Sequence, residues 1–122
     1  MLQRGEQVPH FTVTTLDGAR VAYTSIWQRR NLVLIALRPT TGDDEAVHQL
    51  VREVRAAPGL DADVVATRDA IDGVTAPAVL VADRWGEINH VDRSASLPSS
   101  ADVIAWVEYV QQRCPECEGE TR

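Results

Sequence analysis

Six consecutive apolar residues, Leu32-Val33-Leu34-Ile35-Ala36-Leu37, constrain this chain more than any other stretch. A run with no polar side of its own reads as a strand buried on both faces, as in a parallel sheet covered by helices. A five-residue loop follows, Arg38-Pro39-Thr40-Thr41-Gly42. Beyond it Ala46, Val47, Leu50, Val51 and Val54 recur with the 3.6-residue period of one helix face. The predicted helix covers Asp43 to Ala57; Thr41 or Asp43 can cap its start, and Pro58-Gly59 ends it. Strand, loop and helix start form the place where α/β proteins put their chemistry, and here that place holds no obvious nucleophile.

The remaining elements fall around this unit. Phe11–Thr15 and Arg20–Tyr23 flank Leu16-Asp17-Gly18-Ala19, an Asp-Gly hairpin signal. Residues 25–30 read as a connector with one helical turn, Trp27 packing beneath it. Asp63–Thr67 reads as a second buried strand, and Arg68–Gly73 leaves room for a turn or two of helix. Ala78–Ala82 is a third strand, turned by Asp83-Arg84-Trp85-Gly86 into Glu87–Val91, whose alternation implies one wet face. Ser99-Ser100-Ala101-Asp102 opens a last helix with Val103, Ile104, Val107 and Val110 on one face. The crossover through the first helix makes strands 32–37 and 63–67 parallel neighbours. The 78–82/87–91 pair adds an antiparallel half. One domain is expected over residues 1–113, with an acidic tail over 114–122.

A chain of 122 residues can bury one core. Its net charge of −6 argues against nucleic acid or an anionic membrane as partner. No stretch reads as a signal peptide or could span a bilayer, so the expected location is cytoplasmic. Structural disulfides are rare there, and the only cysteines, Cys114 and Cys117, therefore read as a redox or metal pair.

Two segments carry a family resemblance. Gly5-Glu6-Gln7-Val8-Pro9-His10-Phe11-Thr12-Val13, followed by Leu16-Asp17-Gly18, resembles the opening of redoxin-domain proteins, the alkyl hydroperoxide reductase/thiol-specific antioxidant family and its thioredoxin-like relatives. Ala76-Pro77-Ala78-Val79-Leu80-Val81-Ala82-Asp83-Arg84-Trp85-Gly86 resembles their later segment, a cis-proline followed by a strand and an Asp-x-x-Gly turn. The resemblance covers roughly residues 5 to 110. It implies a thioredoxin-like α/β sandwich: a central mixed β-sheet flanked by helices, with an N-terminal β-hairpin. It also implies a cis Ala76–Pro77 bond facing the helix-start loop. Arg38, Thr40, Thr41, Asp43 and Pro77 would then line one groove for a ligand or partner strand.

The departure from the family is as informative. Peroxiredoxins carry a proline, a threonine or serine four residues on, and the peroxide-reacting cysteine three further. Counted from Pro39, those positions hold Asp43 and Ala46. A thioredoxin-like Cys-x-x-Cys is missing from the same loop. Asp43, Asp44 and Glu45 would also raise the pKa of a thiol placed there; they read instead as complements to the helix dipole, with a cation site as the alternative.

Among the other candidates, Thr40 and Thr41 suit capping better than anion binding. His10, His48 and His90 lack metal-ligand spacing. Trp85, on a turn, either packs over its hairpin or anchors a partner. Three function classes stay open. The chain is a non-peroxidase redoxin-fold binding or regulatory module, which takes a protein partner or a ligand. Or it is a thiol–disulfide oxidoreductase acting on a thiol substrate through Cys114 and Cys117. Or the same pair holds zinc across a structural homodimer, since two thiolates are half of a closed zinc site. Position handicaps the redox reading: the pair follows a helix, and Glu116, Glu118 and Glu120 surround it.

Overall fold

The computed structural model describes residues 1–39 and 44–112. Thr40, Thr41 and Asp43 lie outside the described residues, as do Cys114, Cys117 and the tail. Element order is β1 (Thr12–Thr14), β2 (Arg20–Ala22), a 3-10 turn (Tyr23–Ser25), β3 (Asn31–Ala36), α1 (Asp44–Ala56), β4 (Ala62–Thr67), β5 (Ala78–Ala82), β6 (Ile88–Asp92) and α2 (Ser100–Gln112).

The apolar run becomes β3, buried along its whole length and central in a four-stranded sheet of order β4-β3-β5-β6. β4 pairs with it in parallel, Val33 opposite Val64, and β5 antiparallel, Val33 opposite Val81. β6 closes the sheet against β5. The mixed sheet, its two helices and the separate β1–β2 hairpin make the thioredoxin-like α/β architecture that the sequence implies.

Side-chain alternation along β3 divides the core. Val33 and Ile35 face α1 and α2, meeting Val47, Leu50, Val54, Val103 and Val107. Ser99 caps α2 by accepting the Asp102 N–H at 3.1 Å. Leu32 and Leu34 face the other way, toward Val8, Phe11, Tyr23, Ile26 and Ile71. That second layer is made by the N-terminal arm and the 3-10 turn rather than by a helix. The hairpin docks on β4, where Thr67 donates its hydroxyl to the Thr14 carbonyl at 2.8 Å.

Two local expectations are corrected. Arg68–Gly73 forms no helix. Its chain turns tightly (Val74 N–H to Ile71 carbonyl, 3.0 Å), and the Gly73 carbonyl accepts the Leu2 N–H at 2.7 Å. The N-terminal arm packs on this segment, with the Leu2 side chain against Gly73. Strand β6 does not alternate either: Ile88 and Asn89 are both buried, and His90 to Asp92 are all half-buried. A register shift at Val81/Ala82 breaks the two-residue period, and residues 5–8 cover the strand's outer edge. Among the described residues no helix is long and apolar enough to cross a membrane.

Candidate functional site

Topology gathers four chain segments at one end of the sheet. β3 ends beside the start of β5, Ala36 opposite Ala78, because the two run antiparallel. β6 ends there too, Asp92 opposite Val79. α1 begins where the chain returns from β3. Between these segments lies a cavity of about 370 Å³, walled mainly by apolar side chains, among them Ile35, Leu37, Val47, Pro77 and Leu97. Arg38 and Pro77 line it together. The Ala76–Pro77 bond is cis, as the family pattern implies. Thr40, Thr41 and Asp43, expected in the same groove, fall outside the described residues. Ala46, where peroxiredoxins would carry their cysteine, lines the same cavity.

Two polar anchors fix the rim. The Arg68 guanidinium donates to the Arg38 carbonyl at 2.6 Å and pairs with the Asp44 carboxylate, tying the exit of β3 to the first turn of α1. On the opposite wall the Asp92 carboxylate accepts the Ser94 hydroxyl and, at 2.9 Å, the Ser94 N–H. The hydroxyl first and the N–H second lower its pKa, so it stays ionised at neutral pH. In sequence Arg93 to Ser100 reads as a polar loop; Leu97, its one large apolar side chain, is the signal that marks it as a wall.

Helix α2 starts beside this cavity and carries the chain to the other end of the sheet. There Gln111 donates to the Gly59 carbonyl at 3.0 Å and accepts the Asp61 N–H at 2.6 Å. Arg30 bridges Asp61 and Asp63 at that end, and Arg84 reaches Asp61 at 3.5 Å. The described part of α2 thus ends at the opposite end of the sheet from the apolar cavity.

The histidines stay apart. His10 packs edge-on against Trp27 with ring centroids 4.8 Å apart, and His90 stacks on Trp106 at 3.9 Å. No group of three His, Cys, Asp or Glu side chains among the described residues could hold a metal ion. Trp85 is 39% exposed, and its carbonyl accepts the Trp27 indole N–H at 3.2 Å.

The sequence matches no family model and no curated protein. Solved structures do resemble the fold. A 2-Cys peroxiredoxin of Plasmodium vivax superposes with a TM-score of 0.69 at 12% identity, covering 89% of this chain and 96% of its own. Mycobacterium tuberculosis AhpC gives 0.65 at 11% identity, over 95% and 98% of the two chains. A thiol:disulfide interchange protein of the thioredoxin family from Chlorobium tepidum gives 0.61 at 14%, over 90% and 99%. The chain thus has the thioredoxin-like fold of these redoxin proteins.

Proposed function

We propose that this protein is a redoxin-fold binding or regulatory module without peroxidase activity, and that its apolar cavity receives an extended segment of a protein partner. One observation carries the reading: Ala46 and Pro77 line one apolar cavity at the position where the fold's thiol enzymes work. A methyl group there offers an apolar surface and nothing to oxidise. Cavities of a few hundred Å³ with apolar walls and few polar groups suit such binding. Arg38 and the ionised Asp92, on the rim, can orient the backbone of a bound strand.

A second reading assigns thiol–disulfide exchange, or zinc bridging between two copies, to Cys114 and Cys117. It rests on their Cys-Pro-x-Cys spelling alone.

One set of measurements separates the readings. The neutral dye Nile red and a set of extended Val/Leu peptides are titrated into the full chain. Binding is mapped by amide NMR shifts at Leu37, Val79 and Leu97. Ala46→Trp, which fills the cavity from an exposed helix position, is expected to weaken binding about tenfold or more, as when one well-packed anchor is displaced. A Cys114→Ser/Cys117→Ser variant is expected to bind as the parent does. Steady hydrogen peroxide turnover by that double variant would overturn the non-peroxidase reading. A change in its metal content, subunit number or insulin-disulfide reduction would favour the second.

A further inference from the structure

A second cavity, also of about 370 Å³, lies between the N-terminal arm and β6, with Gln3, Arg4, Asn89, His90 and Arg93 in its lining. We propose that it is a binding site for a phosphate group, free or carried on a small organic body, held by the guanidinium groups of Arg4 and Arg93 with the His90 imidazole between them. The site is distinct from the apolar cavity.

Charge is the first ground. The chain carries −6 overall, yet no carboxylate lines this cavity. Among the described residues neither the Arg4 nor the Arg93 guanidinium is in an ion pair or a side-chain hydrogen bond. Two acids stand near, each already hydrogen-bonded: Glu6 to Gln3, on the cavity's own wall, and Asp92, whose charge reaches the His90 ring. Glu6 accepts the Gln3 N–H at 2.8 Å, and Asp92 is held by Ser94 beside the other cavity.

Preorganisation is the second ground. The arm that carries Arg4 is pinned on both sides. The Glu6 N–H donates to the Gln3 carbonyl at 3.0 Å, and the Gly5 N–H to the Ile88 carbonyl at 2.8 Å. Gly5 has φ +93°, a conformation that suits glycine, so the turn beside Arg4 is written into the sequence. The His90 ring is clamped by its stack on Trp106, 23° from parallel. Burial lowers the imidazole's pKa; Asp92 opposes that, and Arg4, which lines the same cavity, lowers it further.

Chemistry is the third. Guanidinium groups match phosphate oxygens with two parallel N–H donors each, and a histidine supplies a further donor on protonation. The volume exceeds one phosphate group. Leu2 and Val91, also in the lining, offer apolar wall to an organic body.

The test uses the full chain at constant ionic strength. Inorganic phosphate and glycerol phosphate are titrated separately by calorimetry, and amide NMR shifts at Arg4, His90 and Arg93 locate binding in the parent protein. Saturable binding at millimolar ligand or below is expected, with those three amides moving most. Arg4→Gln/Arg93→Gln should weaken it about a hundredfold, roughly tenfold for each guanidinium removed from the phosphate. Tighter glycerol phosphate binding identifies an organic phosphate as the ligand; equal affinities identify the free ion. Both outcomes support the site. Absence of saturation, shifts centred elsewhere, or unchanged affinity in the double variant would overturn it. The NMR map in the parent decides the matter if the variant fails to fold.

Discussion

The two cavities have the same volume and share strand β6, but they differ in origin. The apolar one lies where β3, β5, β6 and α1 start or end, so strand order gathers most of its lining, and the connector from Ser94 to Pro98 completes the wall. The basic one exists because residues 1–4 lie along the outer part of β6. It depends on a docked arm rather than on strand order. Strand order can therefore place one cavity, whereas a docked arm can add another that strand order does not foresee.

Loosening the arm should separate the two, and this is the largest effect expected. Ile88 is fully buried, its carbonyl accepts the Gly5 N–H, and its own N–H donates to the Glu6 carbonyl at 2.9 Å. Ile88→Ala leaves a cavity beneath the arm and should cost about 2–5 kcal/mol in urea unfolding. In the remaining folded protein phosphate affinity should fall while Nile red binding holds. Equal weakening of both would mean that the arm supports the whole sheet, and the contrast between the cavities would fail.

A smaller effect is expected from acid. The His90 pKa lies below its usual 6.5, chiefly through burial. Between that folded value and 6.5 the unfolded chain binds more protons, so stability rises with pH there and falls on acidification. Thermal unfolding should show this decline below neutral pH, and His90→Asn should flatten it. Saturating sulfate, whose charge is constant over this range, should offset the decline in the parent by favouring the protonated ring. If sulfate shifts parent and variant alike, His90 does not take part in the basic cavity.

The same contrast explains what is legible in the sequence. Strand β5 is legible to the residue, and β3, β4 and α1 to within a residue or so, because unbroken apolar runs and a 3.6-residue period are local signals. That Pro77 and Arg38 lie close together is legible through the order of family-like segments, and both line the apolar cavity. The layer over Leu32 and Leu34 is not. It is built from Val8, Phe11 and Tyr23, which come from separate short segments and carry no shared period. Arg4 and Arg93 stand 89 positions apart, and only the docked arm brings them to one cavity. No spacing rule pairs them.

The smallest effect tests whether packing alone seats the arm's layer. Tyr23 is fully buried, stacked on Phe11 with centroids 5.3 Å apart, and its hydroxyl has no hydrogen-bond partner among the described residues. Gly86 makes room for that hydroxyl, since a Cβ there would come within 3.2 Å of it. Removing an oxygen that makes no bond forfeits little, so Tyr23→Phe should change stability by less than about 1 kcal/mol at neutral pH. It should also leave phosphate and Nile red binding unchanged. Alkali then distinguishes the two proteins. Burial first, and the Asp83 charge second, raise the Tyr23 pKa from 10.0 to about 12. The folded protein keeps the phenol proton after the unfolded chain has lost it. That contribution is fully present below pH 10.0 and is lost as pH rises toward about 12. The parent should weaken across that window, and the Phe variant, with no proton to lose, should weaken less. A neutral-pH destabilisation of about 2 kcal/mol or more would instead show that the hydroxyl is bonded in solution. The arm's layer would then owe its seat to a polar interaction as well as to packing.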